Sequence, residues 1–370
     1  MTGPTPGSAD ATTPDAGVPA VDAPGPDADA DSGTLADGGA LAGEGASVAV
    51  PTRSRRPTFS IDGRAAPGLY FAGWILTFVG LTTLFVAVAA TAGGAATVLL
   101  VLGGTACTAL GLTAGAGAQA LQRKADGVPG YAGPSPFLVF VAGLAVSLLL
   151  SAAVSLLGLL DADSSAALVV SLLITTGVNV GLIALLVVGS GALTWAQMGI
   201  RRPAAGRLLG DIAWGLGLGV VALLATGFLA AILVSLLGVM PEGPIPAPRG
   251  PLDSVLNVVA AVVIAPIGEE IFFRGFATTA WARRIGSRSA ILRGALFFAF
   301  VHVLTLGGAT ASEALRIAAI AFLARLPVAY LLGWVFIRRD SLWASIALHA
   351  TFNGMALLIA ELAGRSVTGG

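Results

Sequence analysis

From Pro67 onward the chain alternates long apolar runs with short polar breaks, and each run is near the ~20 residues that an α-helix needs to cross a ~30 Å hydrocarbon core. Nine runs are legible, at about 69–92, 95–120, 137–160, 166–190, 208–239, 252–280, 290–307, 314–337 and 341–362. Only Gly93-Gly94 separates the first two, and the glycine-rich second run could instead be re-entrant, so eight or nine spans are expected. The fold class is all-α: a polytopic transmembrane helix bundle with a disordered N-terminal tail. That tail, 1–66, is rich in Ala, Gly, Pro, Asp, Thr and Ser and cannot bury enough apolar surface to offset the entropy of ordering. Residues 67–194 are expected to form N-terminal membrane helices, 195–362 a functional core and 363–370 a short tail.

Composition agrees with this pattern. The 370 residues are 56% hydrophobic and 11% charged, and the mean hydropathy is +0.89, which excludes an ordinary soluble domain. The net charge of zero hides an asymmetry: residues 1–50 carry eight acids and no Lys or Arg. No basic stretch leading into a short apolar run occurs in the tail, so the first run is expected to be an uncleaved span. Loop bases cluster at Arg53 to Arg64, Arg123 and Lys124, Arg201 to Arg207, Arg283 to Arg293, and Arg338 and Arg339. With nine crossings all five clusters fall on one side, which by the positive-inside bias is cytoplasmic and takes the N-terminus with it. A plasma (inner) membrane location is expected, with the bilayer as environment and no nucleic acid partner. The single cysteine, Cys107, excludes a disulfide framework and a multi-Cys metal site. No strong internal repeat of the transporter kind is present, and Gly215 and Gly219 read as a close helix-packing pair.

Ionisable residues inside apolar helices carry the functional signal, because they are costly there. The sixth run holds Glu269 and Glu270 with Arg274, the seventh Phe298 and His302, and the ninth His349 and Asn353. Glu270 and Arg274 are four apart and can pair on one face, while Glu269, about 100° round the helix, points elsewhere. One acid is then structural and the other free for chemistry. Pro266, just before the pair, removes a helical hydrogen bond and is expected to kink the helix. Distances along the chain from the basic clusters put Glu269, His302, His349 and Asn353 roughly 13–21 Å from one edge of the membrane at 1.5 Å per residue. A poorly solvated carboxylate beside an imidazole can serve as general base toward water, and an imidazole with an amide on one helical face can hold an oxyanion. This outlines peptide hydrolysis within the membrane.

The three motifs, Glu269-Glu270-x-x-x-Arg274, Phe298-x-x-x-His302 and His349-x-x-x-Asn353, resemble the CPBP family of intramembrane proteases, also called the CAAX protease or Abi family. Met198-Gly199-Ile200-Arg201 and the Gly333 to Leu342 stretch are similar to it as well. The resemblance covers roughly 195–362. It implies that Glu269 and His302 activate water, that Glu270 and Arg274 brace the site, and that His349 and Asn353 form the oxyanion hole. The implied substrate is a membrane-bound peptide or a lipidated, CAAX-like protein.

Other readings stand beside this one. Phe298 reads as packing and Asp211 as an interfacial residue. Arg325, at a similar depth to Glu269, is expected to pair with a carboxylate of the site or to contact the C-terminal carboxylate of a substrate. No metal is favoured, since HExxH spacing is absent; zinc held by Glu269, His302 and His349 is the alternative. A non-catalytic scaffold or immunity protein, or a proton-coupled transporter, are the alternatives in function.

Overall fold

The computed structural model describes residues 63–368 apart from 90–92, 159, 162, 242, 244 and 305, with side chains as far as 362. The expected acidic tail lies outside the described residues except for 63–66. Among the described residues nine helices follow within the unit Arg56–Gly370: α1 Pro67–Ala89, α2 Gly94–Ala125, α3 Pro136–Leu156, α4 Ser165–Val188, α5 Ala205–Leu237, α6 Pro251–Ile285, α7 Ser287–Val301, α8 Ala311–Arg339 and α9 Leu342–Thr368. Among the described residues there is no strand. Eight of the helices are long and apolar enough to cross a membrane.

The exception is α7. Its 15 residues rise only about 22 Å, and it stops at Val301, short of the apolar stretch that ran to 307. The stop is built from His302: its backbone N–H goes to Phe300 O, which leaves the Phe298 carbonyl to accept from the ring Nδ1 at 2.7 Å. A side chain thus takes a carbonyl that the helix end leaves without a partner. α8 then begins beside the C-terminal end of α5, where Arg316 donates to Leu237 O at 3.1 Å.

Two further differences from the sequence pattern concern α2 and α9. The glycines of α2 do not turn the chain back; α2 is one helix of 32 residues, and its glycines let α1 approach. A Cβ on Gly104 would meet Leu84, one on Gly111 would meet Thr77, and one on Gly80 of α1 would meet Thr108. α9 continues to Thr368, into the segment expected as a tail.

The basic loops gather at one end. Lys124 reaches Ser190 O at 3.2 Å, Arg201 pairs with Asp340, Arg207 donates to Arg339 O at 2.9 Å, and Gly130 packs on the Arg283 carbonyl. In the α2–α3 loop at this end, burial pushes the Tyr131 phenol pKa up, and its hydroxyl donates to Pro134 O at 2.8 Å. The other end holds the Asp161–Arg249 pair, 2.5 Å apart. Asp211, at the basic end, is fully buried, with its carboxylate 2.7 Å from Arg339, where it ties α5 to the end of α8.

Two packings position the functional helices. Phe137 and Phe140 of α3 meet Phe273 of α6 and Phe297 of α7 in edge and tilted ring contacts with centroids 4.7–6.4 Å apart, fixing α6 against α7. Gly215 and Gly219 of α5 lie against Ala344, Ala347, Leu348 and Thr351 of α9 so closely that a Cβ on either would overlap them.

Candidate active site

α6 does not break at Pro266. It changes hydrogen-bond register, with π-helical segments at Val259–Ile264 and Ile271–Thr278 on either side of a short α segment, Ala265–Glu270, that carries the two acids. Such wide turns recur at functional sites. In this register the carbonyl five residues before Pro266 belongs to Ala261, and proline has no N–H to give it. Asn353 Nδ2 of α9 donates to it instead, at 2.9 Å.

Glu270 is fully buried and saturated. Its Oε1 takes Arg274 Nη1 at 2.8 Å and His349 Nδ1 at 2.8 Å, and its Oε2 accepts the Ser345 hydroxyl. Arg274, 2% exposed, also donates to Ala329 O of α8 at 3.3 Å and stands 4.4 Å above the Phe298 ring. The cation is thereby paired with a carboxylate and hydrogen-bonded, as a buried charge must be. Phe298 is packing, as expected, with its ring 4.4 Å from that of His302 and 5.8 Å from that of His349.

Glu269 has the opposite surroundings. About a quarter exposed, it faces His302 Nε2 at 3.6 Å and His349 Nε2 at 3.9 Å, both too long for direct hydrogen bonds. Its Oε2 is shielded from solvent and accepts no hydrogen bond. The partners of the far nitrogens decide what the near ones offer. His302 donates Nδ1–H to a carbonyl, so its neutral ring turns a lone pair toward Glu269. His349 donates Nδ1–H to the Arg274-paired Glu270, so its Nε2 is a donor only when the ring is imidazolium.

The structure thus brings Glu269, Glu270, Arg274, His302 and His349 together, with Asn353 one turn on from His349. Arg325 stands apart from the network. It makes no ion pair among the described residues and donates to Ala321 O at 3.0 Å. Ser345 escaped the sequence reading; its signal was the spacing of four shared with His349 and Asn353. Among the described residues no group of three or more His, Cys, Asp or Glu arranged to hold a metal ion is found.

No curated protein and no solved structure matches the chain. Residues 251–355, from the first turn of α6 to just beyond Asn353, match the family model described as type II CAAX prenyl endopeptidase Rce1-like. Over those residues the chain is thus similar to the CAAX protease family that its three motifs resemble.

Proposed function

We propose that the protein is an intramembrane endopeptidase that cleaves a membrane-associated, CAAX-like substrate with water activated between Glu269 and His302. The observation that carries this reading is the buried, unbonded Glu269 Oε2 facing two imidazole nitrogens at 3.6 and 3.9 Å. A gap of that length suits a water that touches both groups.

Such a water donates one hydrogen to Glu269 and the other to the lone pair of His302 Nε2, which aims its own lone pair at the substrate. As its oxygen bonds to the scissile carbonyl carbon, Glu269 takes the proton and the carbonyl electrons move onto oxygen. His349, as imidazolium between two carboxylates, and the second N–H of the Asn353 amide donate to that oxyanion. Collapse breaks the C–N bond, and Glu269 returns the proton to the leaving nitrogen. The products are a carboxylic acid and an amine. No step needs a metal. The basic end of the bundle is cytoplasmic in this reading, and the N-terminus lies on that side.

The test is cleavage of a prenylated reporter peptide by the purified protein. Glu269→Gln keeps the shape and removes the base, so the rate falls by roughly 10²–10⁴-fold with the unfolding temperature unchanged. Equal cleavage by Glu269→Gln and wild type would refute the mechanism.

A further inference from the structure

Arg325 is a guanidinium halfway along a membrane-length helix. It lies 14 residues from each end of α8, Ala311–Arg339. A cation at that depth is costly and ordinarily paired. The other arginine deep in the bundle, Arg274, has Glu270, a carbonyl and an aromatic face. Among the described residues Arg325 has no carboxylate within ion-pairing distance, and its one hydrogen bond runs to a carbonyl of its own helix.

Its position ties it to the site. Ala321, Arg325 and Ala329 form one row on α8, and the two alanines are buried. Ala329 is the residue whose carbonyl holds Arg274. Arg325 is therefore one turn, about 6 Å, from the level of the Glu270–Arg274 pair. Two residues on, Pro327 leaves the helix without one of its hydrogen bonds.

We infer that Arg325 binds the C-terminal carboxylate of the substrate and so sets where the chain is cut. The inference rests on the protease reading. In an extended peptide the terminal carboxylate lies about 10 Å from a bond three residues upstream, within the span of one helical turn and the Arg325 side chain. A guanidinium fork matches a carboxylate in geometry and charge, and a free C-terminus supplies the anion that the bundle does not. Arg325 touches substrate away from the reacting atoms, so it determines specificity and is not part of the water-activating machinery.

The experiment compares two prenylated peptides, identical except that one ends in a free carboxylate and the other in a carboxamide. Wild type is expected to show a kcat/KM for the acid roughly ten- to a hundredfold above that for the amide, the size of one charge-assisted pair. Arg325→Gln should bring that ratio close to one by lowering the acid, and Arg325→Lys should leave an intermediate ratio. A purely structural role would lower both substrates alike. Equal use of acid and amide by wild type, or a ratio unchanged in both variants, overturns the inference and leaves the protease reading standing. If Glu269→Gln cleaves as well as wild type, the protease reading is what fails. Anisotropy binding of the same two peptides to Glu269→Gln then decides the matter: an acid preference abolished by adding Arg325→Gln upholds the inference, and no preference overturns it.

Discussion

His349 binds Glu270 through Nδ1 at 2.8 Å, and its other ring nitrogen lies 3.9 Å from Glu269. One imidazole thus joins the saturated acid to the open one, and the orientation of the reactive side depends on the buried side. Glu270→Gln should leave Arg274 buried without its counter-ion, at a cost of about 3–5 kcal/mol. Replacing both, Glu270→Leu with Arg274→Leu, should restore most of the stability and none of the cleavage, because His349 loses the acceptor that holds its ring. Thermal unfolding in detergent beside a cleavage assay checks this. A Glu270→Gln protein as stable as wild type would contradict the account.

α9 is seated through Gly215 and Gly219, and His349 adjoins Leu348, whose backbone touches Gly215. Gly215→Ala would place its methyl 2.5 Å from Ala347 Cβ and 2.6 Å from Ala344 O, so α9 must move away. A displacement of about 1 Å at a reacting group costs on the order of 10²-fold in rate. Gly217, whose Cβ would meet nothing within 4 Å, is the control. Gly217→Ala should cleave like wild type, and Gly215→Ala should not. The two rates being equal would show that this packing does not position the site.

Spacing by four made the Glu270–Arg274 pair and the His349–Asn353 face legible in sequence, and apolar lengths gave the order of the eight candidate membrane helices. Three features were hidden for physical reasons. The end of α7 is hidden because Val303, Leu304 and Leu306 prolong the apolar run, while the stop comes from the His302 ring on the Phe298 carbonyl. Ser345 is hidden because a serine in a helix ordinarily bonds its own backbone, and only the fold brings Glu270 above it. The isolation of Arg325 could not be read at all, because pairing between helices has no signature in spacing.

Metal dependence separates the glutamate-activated water from the zinc alternative. Cleavage should survive a strong zinc chelator at concentrations that strip a known zinc peptidase in the same detergent, since the proposed base, Glu269, takes the proton of the water without a metal. Activity abolished by the chelator and restored by zinc would assign Glu269, His302 and His349 to a metal and reverse the mechanism.

Asn353 has two duties that can be separated. One N–H of its amide serves the Ala261 carbonyl that Pro266 leaves without a donor, and the other serves the oxyanion in the proposed reaction. Asn353→Ala should therefore lower both stability, by about 1–3 kcal/mol for the orphaned buried carbonyl, and rate, by roughly 10²–10³-fold for the lost oxyanion donor. Pro266→Ala gives the Ala261 carbonyl an N–H of its own helix. In that background Asn353→Ala should cost far less stability while its effect on rate persists, so the stability cycle shows coupling and the rate cycle does not. Should the rate effect vanish together with the stability effect, Asn353 would be a strut for α6 alone, and the oxyanion would rest on His349.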